Sequence, residues 1–231
     1  MTPQAAALFD VDGTLVDSTY LHTVTWSEAL RQYGHDVPMS RVHRAIGLGT
    51  DKLLDHLLGA ERDRSGDDAM DAAHLALYAA RWPSLRRLPG ARRLLRACAE
   101  RGWSVVLATS ASAREVEVLR RVLDADDAIA QHVDADAVDA AKPAPDLVQR
   151  ALEQAGVSSG RAVFIGDTAW DVQAARKAGV PCLGVMTGGW CRGELEDAGA
   201  AQVYRDAAEI ADYLDASLLA DPAALTPPVS M

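Results

Sequence analysis

Four short apolar runs punctuate the chain, at 5–9, 103–108, 162–165 and 182–186. They are continuous rather than alternating, which is the pattern of strands covered on both faces. A weaker run at 201–204 reads as an edge strand. Between the runs, apolar residues recur at helical spacing. ARRLLRACAERG follows Pro89-Gly90 and stops at Gly102, and ASAREVEVLRRVL follows Ser110. Residues 145–155 lead to Gly156, and 169–178 lead to Gly179. A glycine just past the last periodic residue is a common helix stop. Strand and helix alternate, which predicts an α/β fold with a doubly wound, Rossmann-like parallel sheet.

One connection is out of proportion. Residues 18–87 separate the first run from the helix before the second, whereas βα connections are usually a few residues long. The segment carries helical patterns in STYLHTVTWSEALRQYG, RVHRAIG, TDKLLDHLLG and DDAMDAAHLALYAARW, with a polar loop ERDRSGDD at 61–68. It predicts a helical domain over 18–87, inserted after the first strand of a core made of 1–17 and 88–220. Residues 221–231, DPAALTPPVSM, read as a Pro-rich frayed tail.

Composition narrows the function classes. Of 231 residues, 49% are hydrophobic and 24% charged, with a formal net charge of −10. That profile belongs to a globular domain. The acidic balance argues against nucleic acid or an anionic membrane as partner, and an anionic ligand would need a local positive site. Three cysteines (Cys98, Cys182, Cys191) with no CxxC pair predict free thiols in a reducing compartment. No run approaches the roughly 18 apolar residues of a membrane span. MTPQAAALFD lacks the basic start of a signal peptide. The expected location is cytoplasmic; the sequence leaves the oligomeric state open.

In a parallel α/β sheet, ligands bind beyond the carboxyl ends of the strands. The first strand ends in Asp10 and Asp12, the second in Thr109 and Ser110, and the third in Asp167 with Asp171 beyond. Lys142 stands before a helix in AKPAPD. Carboxylates, a hydroxyl and a lysine at one sheet edge are the parts of a Mg²⁺-dependent phosphoryl site, because hard oxygen ligands hold a hard cation and lysine and helix-start N–H groups hold phosphate oxygens. Taken singly, these residues have plainer roles. Asp17 reads as a helix cap, Thr109 or Ser110 as an N-cap, and Asp171 as a helix surface charge.

DVDGTLVDS, ATS, KPAPD and GDTAWD, in that order, resemble the four motifs of the haloacid dehalogenase superfamily. The resemblance runs from residue 8 to about 190, and the insertion is similar to the helical cap of the phosphoglycolate-phosphatase and β-phosphoglucomutase-like branch. The resemblance implies a phosphatase acting on a small phosphorylated metabolite. Asp10 would be the nucleophile, forming an aspartyl phosphate, and Asp12 the general acid/base. Mg²⁺ would sit on Asp10, the Asp12 backbone carbonyl, Asp167 and Asp171. Thr109, Ser110 and Lys142 would bind phosphoryl oxygens. With a metal holding Asp10 ionised, Asp12 would keep a proton to donate.

The branch leaves alternatives. The presence of Asp12 disfavours dehalogenation, which needs no protonated leaving group. A sugar-phosphate mutase would reuse the same intermediate, and a phosphonatase would need a cap lysine. Lys52 is the only lysine in the insertion. It is expected, with Arg44, to bind a distal anionic group of the substrate, while Gly47 and Gly49 let their loop approach it. Trp170 is expected to pack. His22, His43 and His56 are assigned no role. A phospho-accepting signalling domain or a silent binding module is the non-enzyme alternative.

Overall fold

The computed structural model describes residues 5–135 and 140–225. Six parallel strands form one sheet: β1 (Ala6–Phe9), β2 (Ser104–Ala108), β3 (Gln131–Val133), β4 (Ala162–Gly166), β5 (Cys182–Val185) and β6 (Gln202–Tyr204), in the order β3-β2-β1-β4-β5-β6. β1 is central, with Phe9 level with Leu107 of β2 and Ile165 of β4. The chain steps outward from β1 to β3, then crosses back to β4 and steps outward to β6. The reversal beside β1 is a topological switch point, where such sheets open a cleft at the strands' carboxyl ends.

Successive β1 residues feed opposite cores, as the two-residue period of a strand requires. Ala7 and Phe9 join the cluster under α5 (Ala91–Glu100), α6 (Ala113–Leu123) and α10 (Ala207–Asp212). Ala6 and Leu8 join the cluster under α7 (Asp146–Ala155), α8 (Ala169–Lys177) and α9 (Arg192–Ala198). Burial on both faces is why these strands read as continuous apolar runs. β3 escapes that reading because only Val133 of its three residues is buried.

The insertion after β1 is helical: α1 (Thr19–Gln32), α2 (Met39–Ala45), α3 (Thr50–Leu58) and α4 (Asp67–Ala79). It has a core of its own, including Trp26, Leu30, Leu53, Leu54, Leu57 and Met70, against which Trp170 of α8 packs. The polar loop is pinned rather than loose. The Arg62 guanidinium donates to Asp55 at 2.5 Å and to Asp67 at 2.6 Å. Asp17 does not cap α1, whose N-cap position is Ser18. Neither Thr109 nor Ser110 caps α6; Ser112 does, in a capping box with Glu115.

Cys98 and Cys182 are buried free thiols, and Cys191 is an exposed one. No helix of the described residues is long and apolar enough to cross a membrane. In the expected tail, Pro222–Ala224 forms a short 3₁₀ turn, and residues 226–231 lie outside the described residues, as do 1–4.

Candidate active site

Four segments bring polar groups to the carboxyl edge of the sheet. β1 delivers Asp10, whose N–H donates to the Ile165 carbonyl at 2.9 Å. β4 delivers Asp167, and Thr168 then starts α8 in a reciprocal capping box with Asp171. β2 leads to Thr109, and Lys142 stands ahead of α7, joined to Pro143 by a cis peptide. At the turn after Asp10, Gly13 has a φ of +79°, and a Cβ there would lie 2.3 Å from Thr19 Oγ1 and 2.4 Å from Asp167 Oδ2. No larger residue fits.

Asp10, Lys142, Asp167 and Asp171 are all buried, none more than 4% exposed. The Lys142 ammonium lies 2.5 Å from Asp10 Oδ1 and 2.7 Å from Asp171 Oδ1. Thr14 Oγ1 lies 3.0 Å from Asp10 Oδ2 and 2.7 Å from Asp167 Oδ1. Two carboxyl groups therefore share one lysine, and Thr14 links the third, Asp167, to Asp10. Burial pushes the Asp10 carboxyl up to about 7, with Asp171 and Asp12 adding to the rise and Lys142 opposing it. Burial, Asp10 and Asp171 likewise raise Asp167 well above the usual carboxylate range, against Thr14 and Lys142. Burial alone would lower Lys142, but the Asp10 and Asp171 carboxylates outweigh it and raise it. Asp171 is no surface charge.

The group is short of positive charge, and it has the donor set for a cation. Asp10, Asp167 and Asp171 each present an oxygen, all within 4.8 Å of one another. Asp167 Oδ2 is buried with no hydrogen-bond partner among the described residues, and a Cβ on Gly188 would come within 1.7 Å of it. Carboxylate oxygens in that number fit a hard divalent cation such as Mg²⁺.

Asp12 stands apart from this group. Ser18 Oγ donates to its Oδ1 at 2.6 Å, His22 Nε2 lies 3.4 Å from the same oxygen, and Thr109 Oγ1 lies 3.4 Å from Oδ2. Burial would raise its pKa, but the His22 and Ser18 bonds and the charge of Lys142 outweigh it, so the net direction is down. Without a metal these contacts favour the Asp12 carboxylate.

His22 is the residue that sequence reasoning missed. Behind it, His74 Nε2 lies 3.4 Å from His22 Nδ1, and His74 Nδ1 lies 3.1 Å from Thr25 Oγ1. Tyr78 stacks on His22 at 3.9 Å. The available signal was the short turn from Asp12 to α1, which obliges the first turn of that helix to face Asp12.

Asp10, Asp12, Lys142, Ser110, Gly47 and Gly49 line a common cavity. A Cβ on Gly49 would lie 2.1 Å from the Ala141 side chain, so that glycine admits the close approach of the insertion to the Lys142 loop. Thr109 lies deeper, with its hydroxyl accepting from the Ala111 N–H at 3.1 Å.

Lys52 and Arg44 are not in this cavity. Lys52 is 58% exposed, with its ammonium 3.7 Å from Asp55. Arg44 pairs with Glu194 of α9, and its guanidinium lies 4.1 Å over the Trp190 ring. Trp170 Nε1 donates to the Arg44 carbonyl at 3.1 Å, and His43 Nε2 lies 2.9 Å from the Gly188 carbonyl. Residues 43 and 44 thus fasten the insertion to the core. Arg44→Ala is expected to cost about 1 kcal/mol in urea unfolding and to leave KM unchanged. A raised KM would return Arg44 to substrate binding.

The doubly wound sheet, its helical insertion and the carboxylate–lysine centre at the strand ends define a Rossmann-like hydrolase. The model of the haloacid dehalogenase-like hydrolases matches residues 5–179, and the chain belongs to that family. It is 31% identical to the phosphoglycolate phosphatase of Rhodospirillum rubrum over 90% of each chain. A hydrolase from Pseudomonas syringae superposes with a TM-score of 0.87 at 32% identity, covering 92% of this chain and 98% of that one. CbbY from Rhodobacter sphaeroides, solved in complex with phosphate and, as a mutant, with xylulose-1,5-bisphosphate, superposes with a TM-score of 0.74 at 25% identity, covering 91% of this chain and 96% of that one.

Proposed function

We propose that this hydrolase is a Mg²⁺-dependent phosphatase of a small phosphorylated metabolite and works through an aspartyl phosphate on Asp10. The observation that carries the reading is the buried Asp10 carboxylate, 2.5 Å from Lys142 and lining the same cavity as Asp12. The phosphoglycolate phosphatase among its relatives supports it.

Asp10 attacks phosphorus, and the leaving alcohol departs as the phosphoryl group passes to the carboxylate. Lys142 orients Asp10 and, with Thr109 and the Ser110 N–H, binds the phosphoryl oxygens. Asp12 is the acid/base. In its protonated form it gives its proton to the leaving oxygen, and the carboxylate left behind then takes a proton from the water that hydrolyses the intermediate. Bound by Asp10, Asp167, Asp171 and the Asp12 backbone carbonyl, Mg²⁺ would supply charge neutralisation to the phosphoryl group and keep Asp10 ionised. We read residues 18–87 as a cap over a core of 1–17 and 88–220, its closure excluding bulk water, and the enzyme as cytoplasmic.

A panel of phosphate monoesters, assayed with Mg²⁺ and with EDTA, tests the assignment. Phosphate release that requires Mg²⁺ is expected; release unaffected by EDTA, or none from any ester, contradicts it. Asp12→Asn is expected to lower kcat by about 10²–10⁴-fold while calorimetric Mg²⁺ binding persists. Loss of Mg²⁺ binding in that variant would reassign Asp12 to the metal through its side chain.

A further inference from the structure

The wall of the cavity beyond Asp10, Asp12 and Lys142 would face the leaving group of a phosphate ester, and its composition restricts that group. The cavity, of about 110 Å³, is also lined by the apolar side chains of Trp26, Leu53 and Leu75 and by the acids Asp71 and Glu115. Lys142 is the only lysine or arginine in the lining among the described residues, and its ammonium is already engaged by Asp10 and Asp171. Residues 136–139 read DAVD and carry no base. Arg44 and Lys52 pair with Glu194 and Asp55 instead. His74, stacked on Trp26 at 4.3 Å, is held neutral, since burial and His22 push its pKa well below the ordinary value.

The two acids are fixed in place. Thr50 Oγ1 donates to Asp71 Oδ1 at 2.8 Å. Glu115 Oε2 accepts from the Ser112 N–H at 2.8 Å and from its hydroxyl at 2.6 Å. Burial, with Asp68 and Asp51 adding like charge, pushes the Asp71 carboxyl up in spite of the Thr50 bond. Surroundings that resist one carboxylate resist a second.

Resting on the phosphatase reading, we infer that the substrate is the phosphate monoester of a small alcohol with no second anionic group, its leaving group being either uncharged or an ammonium alcohol that faces Asp71. A carboxylate, as in phosphoglycolate, or a second phosphate, as in xylulose-1,5-bisphosphate, meets no lysine or arginine on this wall among the described residues, and the His22 ring there lies against Asp12.

The test compares kcat/KM of the full chain with Mg²⁺ on phosphoglycolate, ethyl phosphate and ethanolamine phosphate, with p-nitrophenyl phosphate as a reference for phosphatase activity. Phosphoglycolate is expected to be the poorest of the three by on the order of tenfold or more, because like charges placed together are strongly disfavoured. Asp71→Asn, which keeps an acceptor for Thr50, is expected to narrow that gap, and Asp71→Lys to reverse it, mainly through KM. Phosphoglycolate turned over as well as the other two, or a gap unmoved by both variants, overturns the inference and leaves the phosphatase assignment standing. Failure of all four esters, p-nitrophenyl phosphate included, removes the phosphatase reading itself.

Discussion

Asp10→Asn is expected to lower kcat for any phosphate monoester by at least about 10⁴-fold without unfolding the protein. The amide keeps the shape of the carboxyl group and loses its nucleophilic charge. Lys142 retains Asp171 at 2.7 Å as a partner, and Asp167 keeps its contact with Thr14 at 2.7 Å. Burial, Asp171 and Asp12 all resist a charge on Asp10, so its removal relieves repulsion among the buried acids. The variant should therefore be at least as stable as the parent in EDTA, by urea unfolding. Steady-state assays beside that unfolding curve separate chemistry from folding. A variant that keeps a tenth of the parent's turnover would remove Asp10 from the nucleophile's place.

Lys142→Met carries the largest expected stability effect. Lys142 is 1% exposed and is the cation shared by Asp10 and Asp171. Methionine fills a similar volume and leaves the buried carboxylates without their protein counter-charge. Removing one partner of a buried pair costs about 3–5 kcal/mol, and that loss is expected in EDTA. Mg²⁺ should restore part of it, because a ligand of the native state alone stabilises by mass action, about 2.7 kcal/mol at a hundredfold excess over Kd. Arginine is no substitute, since its planar fork does not match a site shaped around a point charge. A Lys142→Met protein within 1 kcal/mol of the parent in EDTA would mean that the carboxylates are neutral there and that the lysine balances nothing.

The strand ends were legible in the sequence because a charged residue closing an apolar run has few places to go in a doubly wound sheet. Asp10 and Asp167 sit where that rule puts them, after β1 and β4, and Lys142 comes to them from the loop ahead of α7. What was illegible depends on how helices rotate against the sheet. On α3, Leu53, Leu54 and Leu57 turn into the insertion's core, which leaves Lys52 outside. Arg44 was sought at the substrate because it is near the glycine loop in sequence, but α9 places Glu194 beside it. Asp12 was read as the acid/base from its place in DVDGT, two positions after Asp10 and off the metal by its side chain. Ser18 and His22, which stand against its carboxyl group, come from the next helix and its cap. Ser18 closes the DVDGTLVDS motif whereas His22 lies outside it, and both contacts follow from the tight turn that Gly13 permits.

The most direct test of the central claim is the covalent intermediate itself. The protein is mixed with Mg²⁺ and a substrate ester, quenched in acid within a single turnover, digested, and its peptides are weighed. The account predicts one added phosphoryl group on the peptide containing Asp10, formed and lost at rates that match turnover and absent in Asp10→Asn. Turnover without that label, or with the label on another residue, would contradict it.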